Sequence, residues 1–324
     1  MSAWRPPGRF VVLPERLTFS LLTGTSIVVA SYNVWPQLER CLSAVTPEPH
    51  EVIVVDSAST DGTQERVREQ FPQVQLIELE RNPGYGGALN AGMEVAAGDY
   101  VLVMNADAWP VGDAIARLVE FAEQRPQLGI AGPRLLNPDG TLQPSVRGFP
   151  TRWRLATEYL FLRWLAPRSR VLNSFYGAGF DHRTPREAEF LTGAVLLLRR
   201  TAIDEVGMFD TEFFMFSEEV DLCYRMQEAG RHVEFTPDAE FVHVGGASTS
   251  LDWPPMYREQ IRGHLRFFAK HHGLAYAERA RKLLVWAFRV RSLVFPGERG
   301  RLTRDTARWL SRGDVGTLLE PRER

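Results

Sequence analysis

Cysteine is scarce in this sequence: Cys41 and Cys223 are the only two among 324 residues. Their separation excludes a close-spaced zinc site or redox pair, and two thiols cannot staple a fold, so a reducing, cytoplasmic setting is expected. A G-x-x-x-x-G-K-[ST] phosphate loop is absent. The glycines of RNPGYGGALNAG (residues 81–92) miss the G-x-G-x-x-G register and follow the third strand-like run, which argues against a dehydrogenase. No signal peptide or membrane span is expected. Residues 17–38 carry no charge, yet Thr18, Ser20, Thr23, Gly24, Thr25, Ser26, Ser31 and Asn33 interrupt them, so they read as a loop and then a buried strand. The formal net charge of −2 argues against general nucleic-acid binding. It is unevenly spread: from Gly273 onward 12 Lys/Arg face 6 Asp/Glu, leaving about +6 there and about −8 on the rest.

The apolar fraction, 44%, is ample for a sizeable core. Short β-branched runs at Ser26–Ala30, Glu51–Val55, Val74–Leu79 and Tyr100–Met104 predict strands, and helical patterns at Val34–Val45, Asp61–Phe71 and Tyr85–Ala97 separate them. This alternation predicts an α/β fold with a Rossmann-like, mainly parallel central sheet, flanking helices and right-handed crossovers. Ligands of such sheets bind beyond the strands' carboxyl ends. Each run here ends in polar residues: Ser31-Tyr32-Asn33, Asp56-Ser57-Ala58-Ser59, Arg81-Asn82 and Asn105-Ala106-Asp107. Turn or cap chemistry explains any one of these clusters. Four on one rim point to a polar crevice.

In that crevice Asp107 suits a divalent ion, and the Asn105 amide suits a ribose hydroxyl or a metal-bound water. Asp56 can accept bonds from a nucleobase or ribose, while SASTDG (residues 57–62) also supplies Thr60 or Asp61 as a helix cap. A second acidic cluster, FSEEVDLCYR (residues 216–225), offers Ser217 as an N-cap. Glu218, Glu219 and Asp221 are there because the helix dipole favours them, or because one is a general base toward an acceptor hydroxyl. Helical spacing sets Glu218 beside Asp221, with Arg225 one turn on and Glu219 projecting elsewhere. His243, after an apolar run and before two glycines, is either structural or a metal or diphosphate contact.

The stretch from Gly132 to about Glu189 is less regular, with a turn at Asn137-Pro138-Asp139-Gly140 and many arginines and aromatics. It reads as an acceptor-binding loop or as an insertion. Beyond it, Phe190–Leu198 and Val233–Thr236 predict strands, and Ser217–Ala229 and Pro255–His271 predict helices. In the tail, Leu283, Trp286, Ala287, Val290, Leu293 and Val294 share one helical face, with Arg281, Lys282, Arg289 and Arg291 around the rest. Such a face docks on the core or lies on an anionic membrane surface, at the inner side of the cell membrane.

Taken in order, SIVVASYN, EVIVVDSASTDGT, NPGYGGALNAG, YVLVMNADAWP, FLTGAVLLLRRTAIDEVGMFD and FFMFSEEVDLCYRMQEAG resemble the family 2 glycosyltransferases over about residues 24–250. GPRLLNPDGTLQPSVRGFP resembles their bacterial rhamnosyltransferase-like branch. The expected organisation is an N-terminal extension over 1–23, a GT-A domain over 24–250 and a C-terminal helical basic extension over 251–324. Within the GT-A domain a nucleotide-binding half spans 24–110 and an acceptor and catalytic half spans 111–250. The resemblance implies a nucleotide-sugar donor, a divalent cation (Mg or Mn) as cofactor and inversion at the anomeric carbon. Ser31, Tyr32, Asn33 and Asp56 would contact the nucleoside, with Arg81 and Asn82 lining the same pocket. Asn105, Ala106 and Asp107 stand where the family has a D-x-D-like triplet, with Asp107 as the metal-coordinating acid, and His243 matches a metal-binding histidine of some relatives. Glu218-Glu219 stands at the family's Glu-Asp pair, which makes Glu219 the expected base, though on a longer arm than the common Asp; Glu218 and Asp221 are the other candidates. The branch implies dTDP-rhamnose as donor and a cell-envelope glycan or lipid-linked sugar as acceptor; a UDP-hexose fits the same pocket. A nucleotidyltransferase is disfavoured because no glycine-rich, basic phosphate loop follows the first strand. A catalytically silent sugar-nucleotide-binding scaffold is disfavoured by Asp107 and the acidic helix.

Overall fold

The computed structural model describes residues 24–245 and 253–320, so the expected extension over 1–23 lies outside the described residues. The first half alternates as predicted: β1 (Thr25–Ser31), α1 (Trp35–Val45), β2 (Glu51–Asp56), α2 (Thr63–Gln70), β3 (Gln75–Glu78), α3 (Tyr85–Val95) and β4 (Tyr100–Asn105). β1 pairs in parallel with both β2 and β4, and β2 with β3, giving the order β3-β2-β1-β4. The chain moves outward from β1 to β3 and then returns through α3 to the other side of β1, which creates a switch point where a crevice opens. Ser31 lies opposite Asp56 and Ala30 opposite Asn105, so the polar strand ends do share one rim.

The middles of β1, β2 and β4 are continuously apolar because both faces are covered. Val28, Ile53, Val55, Val101 and Val103 join one core layer, and Ile27, Val29, Val54, Leu102 and Met104 join the opposite one. Cys41 of α1 is buried in the second layer and Cys223 in the first, and burial pushes both thiols up to about 12. For Cys41 the Asp107 charge adds to the shift.

The second half departs further from expectation. Its elements are β5 (Ala108–Pro110), α4 (Ala114–Glu123), β6 (Leu128–Leu136), β7 (Leu142–Gln143), β8 (Val146–Arg147), α5 (Arg152–Tyr159), α6 (Leu162–Leu165), β9 (Arg186–Glu187), β10 (Phe190–Leu191), β11 (Val195–Arg199), α7 (Arg200–Val206), α8 (Glu218–Glu228) and β12 (His232–His243). The sheet continues from β4 as β11-β6-β12-β5, with β11 antiparallel to both neighbours. The region expected to be irregular from Gly132 therefore begins inside a central strand, where Pro133 is tolerated and Gly132 lets Leu191 pack against the backbone. The single strand predicted over Phe190–Leu198 is split at Thr192-Gly193-Ala194, and β12 is much longer than Val233–Thr236.

The tail is helical: α9 (Trp253–His272), α10 (Leu274–Val294), α11 (Gly297–Ser311) and α12 (Val315–Leu319). α10 packs against α9, α11 and α5. It does so through Ala277, Ala280, Leu284, Ala287 and Phe288, because small side chains allow close approach. Of the apolar face expected to dock, only Ala287 is buried; Trp286, Leu293 and Val294 are exposed.

Asp221 fastens α8 to α9. Its fully buried carboxylate accepts hydrogen bonds from Arg225 Nε (2.8 Å) and His271 Nε2 (2.7 Å), and Lys270 Nζ lies 2.7 Å away. Burial opposes its ionisation, but the His271 hydrogen bond and the Arg225 and Lys270 charges outweigh that and hold the carboxyl at about 2. Because this lies below the ordinary 3.8, the anchor contributes stability above that value and loses it as pH falls through about 2. Asp221→Asn is expected to lower unfolding stability by about 2–4 kcal/mol at pH 7. In urea titrations the difference from wild type should shrink as pH falls from about 4 toward 2. Gly84 has φ +86°, and a Cβ there would sit on the Phe214 carbonyl oxygen, to which Tyr85 N–H donates (2.9 Å). Gly84→Ala is expected to lose at least about 2 kcal/mol by the same titration, from backbone strain and displacement of that loop.

Candidate active site

At the rim of β2, fully buried Asp56 accepts hydrogen bonds through Oδ2 from the Ser59 N–H (2.9 Å) and Gln64 Nε2 (2.7 Å). Its Oδ1 has no partner, and neither does the hydroxyl of Ser31 directly opposite. Buried polar atoms left unpaired are costly unless something binds to them, so this pair is the strongest sign of a ligand at the rim. Asn33 plays a different part. Held at φ +52°, it accepts from Thr60 N–H (2.7 Å) through Oδ1, while its own N–H donates to Ser59 Oγ (2.8 Å). Its side chain is thus spent on the β2–α2 loop and shapes the pocket. Neither Thr60 nor Asp61 caps α2 in the expected way: the helix follows left-handed Gly62, and Asp61 accepts from the N–H groups of Trp35 (3.1 Å) and Thr63 (3.2 Å). Asn82 accepts from Gly84 N–H (2.9 Å), and Tyr32 and Arg81 stand at the exposed margin.

The next contact was not legible from spacing. β5 pairs antiparallel with β12, setting Ala108 opposite His243. Consequently His243 Nε2 lies 3.3 Å from Asp107 Oδ1 and 3.1 Å from Asn105 Nδ2. Gln143 Nε2 donates to the His243 carbonyl (3.2 Å), which turns Gln143 Oε1 toward His243 Nδ1 (2.7 Å). Nδ1 therefore carries the proton, and the Nε2 lone pair faces Asn105 and Asp107. Asp107, almost fully buried, also accepts from Gly245 N–H through Oδ2 (3.0 Å), and buried Ala106 leaves room beside it. Among the described residues no cluster of three acidic, His or Cys ligands exists. One carboxylate and one imidazole do not make a closed zinc site, but they fit a divalent ion that completes its shell on substrate phosphates.

The acids approach from α8. Phe216 (φ +68°) and Ser217 (φ +72°) are consecutive left-handed residues, and Gly263 of α9 is pressed against both. Ser217 sits at the N-cap position, yet its side chain makes no cap bond, contrary to expectation. The strained turn delivers two adjacent acids into different surroundings. Glu218 is buried against Gly86 of α3, whereas Glu219 faces Gly193 and Tyr85. Each has an unpartnered Oε2. Burial, then the neighbouring Glu219, push the Glu218 carboxyl well up; burial also raises Glu219, but backbone hydrogen bonds and the Arg147 charge oppose it. Both carboxyls are raised, and it is Glu219 whose ionised form the Arg147 charge favours. Asp221, the third candidate, turns toward α9 and is held in ion pairs with Arg225, Lys270 and His271.

Three contributors were missed in the sequence: Gln143, Arg147 and Tyr85. Tyr85 OH donates to the Gly193 carbonyl (2.8 Å), and its phenol is raised by burial and then by the charges of Glu218, Glu219 and Asp107. Glu219 and Tyr85 both lie against Gly193, and the carbonyl of the next residue, Ala194, accepts from Asn105 N–H (2.9 Å), so the strand-end triplet and the acidic helix border one space. The sequence places Tyr85 at the start of a helix, which says nothing of what its hydroxyl meets.

Residues 26–207 match the family described as "Glycosyl transferase family 2". The chain is 34% identical, over 241 residues covering 70% of it and 78% of the relative, to the N-acetylglucosaminyl-diphospho-decaprenol L-rhamnosyltransferase of Mycobacterium tuberculosis. It is 27% identical over 225 residues to poly-beta-1,6-N-acetyl-D-glucosamine synthase of Staphylococcus aureus, spanning 67% of this chain and about half (48%) of that relative. Its fold is similar to that of the mannosyltransferase PcManGT from Pyrobaculum calidifontis, solved with GDP-Man and Mn2+ (TM-score 0.51, 18% identity, 91% of this chain and 82% of that one). It is also similar to GalNAc-T7, solved with UDP, GalNAc and Mn2+ (TM-score 0.55, 17% identity, 88% and 55%). With more than half its length matched to the family and a GT-A architecture around the rim just described, the chain belongs to glycosyl transferase family 2.

Proposed function

We propose that this glycosyltransferase moves a rhamnosyl group from dTDP-rhamnose, with inversion at the anomeric carbon, to a hydroxyl of a lipid-diphosphate-linked sugar during cell-envelope glycan synthesis. The similarity to the mycobacterial rhamnosyltransferase supports the donor and acceptor classes. The observation that carries the reading is the 3.3 Å approach of Asp107 Oδ1 and His243 Nε2, with Glu219, whose Oε2 is unpartnered, beside Gly193 and Tyr85. No helix of the described residues is long and apolar enough to cross a membrane. Peripheral contact with the inner face of the cell membrane through the basic tail belongs to the same proposal.

In this mechanism Asp56 Oδ1 and the Ser31 hydroxyl accept and orient the nucleoside, and Asn105 steers a ribose hydroxyl. Asp107 and His243 would hold a divalent ion, Mg or Mn, whose charge when bound neutralises the departing diphosphate. Glu219 takes the proton of the acceptor hydroxyl as its oxygen attacks the anomeric carbon from the side opposite the leaving group. Its raised pKa suits it to neutral pH, since a base works best when its pKa approaches the operating pH. Glu218, its carboxyl pushed well up by burial, keeps its proton in this mechanism and adds no second negative charge beside it.

A donor-hydrolysis screen should show release of dTDP from dTDP-rhamnose in Mg2+ or Mn2+, abolished by a chelator, and little release from UDP-hexoses. Asp107→Ala should lower turnover by about 10²–10³-fold with the fold intact, and full turnover would remove its role. Glu219→Gln should abolish transfer to acceptor. In wild type the rate should fall as pH drops through the raised Glu219 pKa, so the acid limb of kcat/KM lies above the ordinary 4.5.

A further inference from the structure

Away from the nucleotide rim, a partly open cavity of about 270 Å³ lies between α5, α9, α10 and the 3-10 turn Ser174–Tyr176. Its size is near the lower end of small-ligand pockets, roughly 300–1,000 Å³. The walls mix aromatic rings with hydrogen-bonding groups, among them Tyr176, Tyr257, Gln260, His264, Arg154 and Arg291.

Two of these side chains each carry a shielded nitrogen with no partner. His264 is only 6% exposed and its Nδ1 has no hydrogen-bond partner. Burial lowers its imidazole to about 4, so it is neutral at pH 7 and can exchange a hydrogen bond with a hydroxyl. Arg291 donates through Nη1 to the Tyr159 carbonyl (3.4 Å). Arg154 donates to both carboxylate oxygens of Glu189 (2.6 and 2.7 Å), whereas no carboxylate pairs with Arg291 among the described residues and its buried Nε has no partner. Its guanidinium lies instead over Phe161, 4.2 Å from the ring centroid. A half-buried guanidinium with no carboxylate beside it can take an anion.

The surroundings give the ligand two further attributes. Toward the active site, the Tyr176 ring forms the cavity wall and also carries the Arg147 guanidinium (4.5 Å), whose charge acts on Glu219. Toward the outside, Phe161 and Phe295 meet edge to face at 5.3 Å. Trp164 and Leu165 follow the first of these and are 66% and 79% exposed; Leu293 and Val294 precede the second and are 87% and 62% exposed. Glu158, also in the wall, is paired with Arg163, so an exposed apolar lip beside the Arg291 guanidinium matches an amphiphile whose charged group joins a lipid chain.

We infer that this cavity is the acceptor head-group site, taking a glycosyl phosphate with its sugar among Tyr176, Tyr257, Gln260 and His264, its phosphate on Arg291 and its prenyl chain over the Trp164–Leu165 and Leu293–Val294 lip. The assignment rests on the lipid-linked acceptor proposed above and adds where that acceptor is held. It gives the expected exposed face of α10 a purpose distinct from core docking.

The test is calorimetric binding, without donor, of two probes: N-acetylglucosamine 1-phosphate, and N-acetylglucosaminyl diphosphate bearing a two-isoprene chain. Arg291→Met should weaken both at least tenfold while dTDP binding and thermal midpoint stay as in wild type; Gln260→Ala should weaken both by a smaller factor. Leu165→Ser combined with Leu293→Ser should weaken only the prenyl probe. Unchanged binding of both probes to Arg291→Met, or no binding of either to a wild-type protein that binds dTDP, would overturn the site. Donor hydrolysis is read separately. Probe binding that depends on Arg291 in a protein silent toward every donor would uphold the cavity and remove the proposed reaction.

Discussion

The antiparallel pairing of β5 with β12 is the contact on which the rest of this architecture turns. It is short, with Ala108, Trp109 and Pro110 opposite His243, Val242 and Phe241. Through it a residue from the far end of the domain meets the strand-end triplet of the first half. Register is decisive, because neighbouring residues on a strand point to opposite faces: a slip of one residue would exchange His243 for Val242 beside Asp107. The irregularity between Thr236 and Glu240, where β12 leaves and rejoins its parallel pairing with β6, adjusts the strand before it reaches β5. Pro237, which has no N–H to give a ladder, lies within that break.

The acidic helix shows how one turn of sequence is divided among three environments. Glu218 is enclosed by α3, where burial raises its carboxyl, Glu219 borders an open strand break near Arg147, and Asp221 is neutralised by cations of α8 and α9. None of these fates follows from a carboxylate on a helix. Each follows from what the helix is packed against, and Gly193 and Gly86 make room where any larger residue would fill the space.

The parallel half was legible because local signals agreed with tertiary demands. β-branched runs, intervening helical periods and polar strand ends at Ser31, Asp56 and Asn105 all described the same sheet. The second half was less so. β6 contains Gly132 and Pro133, which read as loop although a central strand tolerates them here. The strand break at Gly193 is made by a long-range contact with α8 and α3. The wheel of α10 was drawn by hydrophobicity, whereas the buried face is chosen by small size, Ala277, Ala280 and Ala287 permitting the helices to close. Asp107 was singled out by its place at a strand end and Glu219 by the family resemblance; Tyr85, Gln143 and Arg147 needed the fold, since hydrogen bonds and fields between distant segments leave no local pattern.

The two thiols, one in each core layer, lend the protein a pair of built-in clocks. Both are buried and hold their protons far above neutral pH, so neither can form the thiolate that reacts with an alkylating reagent while its layer is closed. Cys41 becomes reactive when α1 lifts from the sheet, and Cys223 when α8 separates from the opposite face. The loosening of the two layers can therefore be timed independently in the unmodified chain, and the slower clock marks the layer that opens last.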